Sequence, residues 1–320
     1  MFIKQRSGTS ALPFRIPKYF AVNGERDREL PNHIRKRQEA MKRKKEGNGF
    51  TLIELLIVIA IIAVLLTIIV PALQSAKDQA KSAVCFANLS TLSKGWQMYT
   101  TDNKDVLVGG YVGVREKNPL YDPELWFAWV EFPQTEQGDI TGYPWQDTSL
   151  EDKQRGIERG LLYPYVNNLD AYHCKSDWRL TENSRFGKEP AWRSYTIAGG
   201  FKVSSPYAVN ASKYSNIKYP ESKFVFVENL DVRGWNMGYW DIWVPSRNGA
   251  EWWNVVASWH RDRCNWGFAD GHAETQKWQD ERTVRICNEL DYSKQTAIRS
   301  ECSVDNPDLL WIVDRRMNEW

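Results

Sequence analysis

Histidine is scarce in this 320-residue sequence, at four residues, and cysteine and methionine number five each. No two cysteines stand in a Cys-x-x-Cys pair, so a structural zinc site is not expected. There is no Gly-rich phosphate loop, no nucleophile elbow and no Ser/His/Asp arrangement, and no enzyme activity is expected. No internal repeat is visible, and a second long apolar run is missing. With 20 Gly and 14 Pro against 42% hydrophobic residues, the chain is neither collagen-like nor wholly disordered. Aromatics make up 13% of it, enough to fill a packed core.

Neither sign of charge dominates the whole chain, whose net is +2, but the two ends differ. Residues 1–49 hold 13 Lys/Arg and 5 Asp/Glu, a net of +8, and the remainder carries −6. An acidic body argues against nucleic-acid binding. From Phe50 to Val70 the chain reads FTLIELLIVIAIIAVLLTIIV, with Glu54 its one charge. As a helix this run is about 32 Å long, enough to cross a hydrocarbon core. Lys42, Arg43, Lys44 and Lys45 precede it, so the positive-inside rule places residues 1–49 in the cytoplasm and 71–320 outside. A signal peptide fits poorly, because its apolar part is shorter and ends in a small-residue cleavage site. An acid inside such a run is functional by default; the plain alternative is that Glu54 sits near the interface and snorkels.

Gly49-Phe50-Thr51-Leu52-Ile53-Glu54 resembles the processing site of type IV prepilins and type II secretion pseudopilins. The resemblance implies cleavage between Gly49 and Phe50 by a prepilin peptidase, which also methylates the Phe50 amine. It implies that Glu54 pairs with the Phe50 amine of a neighbouring subunit and sets the register of a helical assembly. Pro71 matches a proline that kinks the long helix of that family. The leader is longer than the family's, and Met41 opens a conventional one, so translation is expected to begin at Met41 or residues 1–40 to be an extension.

Beyond the membrane segment, Cys85, Leu89, Leu92, Trp96 and Tyr99 recur at spacings of 4, 3, 4 and 3, one stripe of a helix. This predicts an amphipathic helix over 71–101 under a globular head at 102–320. Cys85-Phe86-Ala87-Asn88-Leu89 with Tyr99 and Asp102-Asn103 resembles planctomycete-type pilin-like proteins. Their C-terminal motif, a His, nine residues and Asp-Gly, is matched by His260, Asp270 and Gly271. The implied fold class is α+β: a long N-terminal helix packed on an antiparallel sheet. The head itself reads as strands and loops. Ser222–Glu228 reads as a strand, and 264–278 as a hairpin closed by a two-residue Asp-Gly turn. Residues 109–147 and 232–253 read as long surface loops.

Outside the cytoplasm cysteines tend to pair. Cys174, in His173-Cys174-Lys175-Ser176-Asp177, matches a Cys-x-Ser-Asp segment of the family, and Cys85 lies on the helix stripe; a Cys85–Cys174 disulfide is expected from that resemblance. Cys287 with Cys302 is a second pairing, which leaves Cys264 over. His260, Asp270 and His272 offer a metal site, or else His260 braces the Asp270 turn. Asp102/Asp105 and Asp170/Asp177 are candidates for Ca²⁺, although their spacing matches no calcium loop, and no cofactor is expected. Trp235, Trp240, Trp243, Trp252, Trp253 and Trp259 offer a sugar-stacking surface or a core.

The first reading is therefore a structural subunit, single-pass in the inner membrane with its head outside the cytoplasm. Its partners are a prepilin peptidase, other pilin-like subunits and an assembly machinery. The second is a membrane-tethered, Trp-rich module that binds glycans or surface polymers. A third is an anchored metalloenzyme using residues 260–272.

Overall fold

The computed structural model describes residues 36, 50–113, 128–141, 148–177, 179, 193–199, 213–232 and 239–316. Met41, Gly49 and Trp235 lie outside the described residues. The chain divides into two compact units, residues 1–66 and 67–320.

Helix α1 spans Leu52–Asp102, 51 residues, with Pro71 inside it. Every residue from Phe50 to Gln74 is exposed. A helix apolar on all sides has no face suited to water, and this one is long and apolar enough to cross a membrane. The second half is different. Cys85, Leu89, Leu92, Trp96 and Tyr99 are buried along one face, and each such side chain contributes about 1.5–3 kcal/mol relative to an exposed one.

Strands β1 (Gly109–Gly113) and β2 (Ala128–Glu131) pair in parallel. Helices α2 (Leu150–Glu158) and α3 (Tyr163–Val166) follow. Ser149 caps α2 by accepting from the Asp152 nitrogen at 3.1 Å. Strands β3 (Tyr195–Ile197), β4 (Phe224–Glu228), β5 (Arg263–Phe268) and β6 (Ala273–Lys277) form an antiparallel sheet in that order. Four short helices close the chain: α4 (Glu281–Asn288), α5 (Tyr292–Ala297), α6 (Arg299–Ser303) and α7 (Pro307–Arg315). The fold is α+β and pilin-like, a long N-terminal apolar helix with an antiparallel sheet.

The second half of α1 lies against β5. A Cβ on Gly267 would strike Ser93 Oγ and come within 3.0 Å of the Leu89 carbonyl, so only glycine lets strand and helix approach this closely. Its neighbour Trp266 joins Phe224, Trp240 and Trp311, with ring centroids at 4.7, 5.8 and 5.3 Å. Successive residues of a strand point to opposite faces, and both faces of β5 are therefore buried.

Three sequence expectations are corrected here. Residues 103–320 are not strands and loops alone. The helices from 281 to 315 are short, and three of the four are capped by a side chain: α4 by Asp280, α5 by Asp291 and α7 by Asn306, the last followed by Pro307. The stretches at 109–147 and 232–253 are not simply surface loops, since Trp129, Val130, Trp240, Ile242 and Trp252 are buried. Finally, the β5–β6 connection is not a two-residue turn. The Phe268 nitrogen donates to the His272 carbonyl at 2.9 Å and the Gly271 nitrogen to the Phe268 carbonyl at 3.0 Å, enclosing Ala269, Asp270 and Gly271. Gly271 has φ +92°, the left-handed residue that a three-residue hairpin loop requires.

Candidate functional site

Two regions carry the sequence-predicted site residues. At the start of α1, Thr51 and Glu54 cap the helix reciprocally. Glu54 Oε2 accepts from the Thr51 nitrogen and hydroxyl, and Thr51 Oγ1 accepts from the Glu54 nitrogen. Phe50 and Glu54 are exposed, as is Pro71 one helix segment later. Thr51 was not singled out from the sequence, though Thr-x-x-Glu ahead of an apolar run is a recognisable cap signal.

The second region is buried. Cys85 from α1, Cys174 from the loop before β3, Glu228 at the end of β4 and His260 ahead of β5 converge. Cys85, Cys174 and Glu228 have no exposed surface, and His260 has 4%. The Cys85 and Cys174 sulfurs are 2.6 Å apart. His260 Nε2 lies 3.4 Å from Cys174 Sγ and 2.9 Å from Glu228 Oε1. Asn265 donates to the same carboxylate, from its backbone nitrogen at 2.9 Å and from Nδ2 at 3.0 Å. His260 Nδ1 has no hydrogen-bond partner among the described residues. The Cys174 thiol beside it holds Cys85 down to about 6 against the opposing effect of burial. Burial works to lower His260, but its contacts with Cys85 and Glu228 outweigh it and bring it up to about 10. Burial raises Cys174 well above the ordinary thiol range. A cysteine beside an imidazole is a nucleophile-and-base pair by residue type, yet substrate has no exposed atom of Cys85 to reach.

His260 therefore does not brace the Asp270 turn, and it does not join Asp270 and His272 in one site. Asp270 Oδ1 faces His272 Nδ1 at 2.5 Å on the surface. The turn is held instead by α1: Ser90 Oγ donates to the Gly271 carbonyl at 3.0 Å and Gln97 Nε2 to the Ala269 carbonyl at 2.8 Å. Cys85 and Cys174 meet, but all five cysteines are unbridged in this structure. Cys302 Sγ accepts from Arg285 Nη2 at 3.4 Å. Asp177 commits both oxygens to Arg179, whereas Asp170 pairs with Lys175 at 3.0 Å on the surface. Asp105 binds Ser215. Of the tryptophans, Trp240 and Trp252 are core, Trp259 stacks under Arg179 at 5.2 Å, and Trp243 and Trp253 are exposed. Glu228 was missed from the sequence, where it reads only as the polar end of an apolar strand.

Residues 45–70 match the family model described as the prokaryotic N-terminal methylation motif. Over its N-terminal part the chain is similar to type IV pilins and type II secretion pseudopilins. It is similar to the type IV wide pilus major component PilA4 of Thermus thermophilus, 48% identical over 59 residues, which are 18% of this chain and 45% of that one. It is similar also to type II secretion system core protein G of Pseudomonas aeruginosa, 35% identical over 60 residues, 19% of this chain and 42% of that one. Prepilin peptidase-dependent protein A of Clostridium perfringens is 40% identical over 62 residues, 19% of this chain and 44% of its own. The chain thus spans less than half the length of each of these relatives. No solved structure matches it. The segment matching the methylation motif is the N-terminal part of α1 with the residues just before it, and the buried cluster lies in the remainder of the chain.

Proposed function

We propose that this chain is a structural subunit of a pilus or a type II secretion pseudopilus. In this reading a prepilin peptidase cuts between Gly49 and Phe50 and methylates the new amine. The chain then crosses the inner membrane once, with residues 71–320 outside the cytoplasm, and assembles with other pilin-like subunits through α1. The observation that carries the reading is a lone acid, Glu54, at the capped start of an otherwise apolar helix whose sides are bare. Thr51 hydrogen-bonds this carboxylate but brings no positive charge, and an ionised acid in hydrocarbon calls for a cationic partner. The amine of a neighbouring Phe50 supplies one. No catalytic role is assigned, since the cysteine–imidazole pair is sealed. Burial of Trp240 and Trp252 takes weight from a glycan-binding surface.

The experiment is mass spectrometry of the chain isolated from its native membrane. The expected N-terminus is N-methylated Phe50. A chain that keeps its leader, or starts elsewhere, would sink the subunit reading.

A further inference from the structure

Four segments far apart in sequence bring two thiols, an imidazole and a carboxylate to one sealed point. We propose that Cys85, Cys174, Glu228 and His260 bind a divalent transition-metal ion of borderline softness, with Zn²⁺ the fitting occupant. The four ligand atoms lie within 4.8 Å of one another. Two sulfurs, one nitrogen and one oxygen are a donor set that suits tetrahedral zinc. His260 turns Nε2 towards both Cys174 Sγ and Glu228 Oε1, the aim of a ligand shared with both.

Charge supports the assignment. On binding, both thiols and the imidazole release their protons to solvent, and two thiolates and a carboxylate then present three negative charges to the ion in a place shut off from water. A dication leaves one. Fixed donors already face that remainder: the Ser176 nitrogen points at Cys174 Sγ at 3.4 Å, and Asn265 gives two hydrogen bonds to Glu228. Such outer donors orient metal ligands and tune them.

The competing state is the Cys85–Cys174 disulfide. It uses two of the four groups and leaves Glu228 and His260 as a buried ion pair beside it. A metal ion accounts for all four. Zinc–sulfur bonds of about 2.3 Å at the tetrahedral angle hold two sulfurs roughly 3.8 Å apart. From the present 2.6 Å the two cysteine side chains must therefore part on binding. With four protein ligands the site is closed, so the ion would be structural, tying α1 to β4 and to the loops that precede β3 and β5. The sequence did not announce this site, because its ligands are not spaced in pairs.

The test uses the full chain, extracted from membranes in detergent without reductant or chelator. Zinc is measured by mass spectrometry of the metal, and thiols are trapped by alkylation in denaturant. The expected result is zinc equimolar with protein, and both thiols alkylated only after the metal is stripped. Exchange for Co²⁺ should give the intense visible bands of tetrahedral, thiolate-bound cobalt. Glu228→Gln and His260→Gln should each weaken retention of Zn²⁺ against a chelator by roughly tenfold or more, with circular dichroism unchanged. Should either variant fail to fold, the cobalt spectrum of the wild-type chain decides. A metal-free chain two hydrogens lighter than the dithiol form carries the disulfide and overturns the proposal. So does a chain with free thiols that takes up no cobalt, or zinc retained equally by wild type and both folded variants.

Discussion

Glu54 turns its carboxylate back onto Thr51, with Oε2 2.8 Å from the backbone nitrogen and 2.7 Å from the hydroxyl. The Thr51 hydroxyl in turn accepts from the Glu54 nitrogen at 3.3 Å. The acid that looks so costly in the apolar run thus has partners within its own chain, and it satisfies donors that every helix start leaves open. A second partner on another chain is an addition to this cap. That separates two roles for Glu54, capping and subunit pairing, which substitution can tell apart.

Glutamine at position 54 preserves the cap, since Glu and Gln serve equally in a Thr-x-x-Glu/Gln box, but it removes the charge. Leucine removes both. Membrane insertion and leader cleavage should survive in Glu54→Gln and Glu54→Leu. The share of subunit recovered in sheared filaments, against that in membranes, should fall for Gln and nearly vanish for Leu. Were capping the whole role, Gln would match wild type and only Leu would fall.

At Gly49 a bulky residue should block processing without affecting insertion, because the apolar run is untouched. Gly49→Val is expected to accumulate as membrane-bound precursor of the unprocessed size. Normal maturation of this variant, judged by gel mobility, would remove Gly49 from the cleavage site.

Parts of this molecule could be read without coordinates, and the division follows the range of the forces involved. The stripe Cys85, Leu89, Leu92, Trp96, Tyr99 was legible because helical periodicity is local, and all five are buried. The β5 and β6 strands were legible for the same reason. The loop between them was not, because Asp-Gly serves two-residue and three-residue turns alike, and only the positive φ of Gly271 alone distinguishes them. Helices α4 to α7 were missed although Asp280, Asp291 and Asn306-Pro307 were in plain view; each helix is too short for periodicity to register. The meeting of His260 with Cys85 lies 175 positions apart in the chain, and no local pattern encodes it. Glu228 had no signal of its own beyond an acid closing the run Phe-Val-Phe-Val.

Gly267 is where the head admits α1. A valine there would drive its side chain into Ser93 and the Leu89 carbonyl, backbone that cannot swing aside. Gly267→Val should lower the stability of the detergent-solubilised chain by on the order of 1–3 kcal/mol, the usual cost of overpacking. A shift in thermal midpoint of a few degrees checks it. An unchanged midpoint would mean that strand and helix do not approach this closely.

The last prediction concerns the ion pair behind Cys174. Asp177 Oδ1 accepts from Arg179 Nε at 2.9 Å, and Oδ2 accepts from Arg179 Nη2 and from Ser194 Oγ, both at 2.7 Å. Ser194 Oγ also accepts from the Cys174 nitrogen at 2.9 Å, so this carboxylate anchors the loop that presents Cys174. Both side chains of the pair are almost wholly buried, at 1% and 0%. Burial opposes the charge on Arg179, and Asp177, with a smaller part from Asp231, restores it. Asp177→Asn keeps the shape but removes the main counter-charge. Breaking a buried pair from one side costs about 3–5 kcal/mol, and the help from Asp231 places this variant near the lower end. Asp314, which pairs with Arg247 on the surface, is the contrast: Asp314→Asn should leave the unfolding midpoint where it is, because exposed pairs are weak. Chemical unfolding of both full-length variants, followed by tryptophan fluorescence, reads the difference. Equal midpoints for Asp177→Asn and Asp314→Asn would show that the Asp177–Arg179 pair is not sealed from water, and that the Cys174 loop is held by something else.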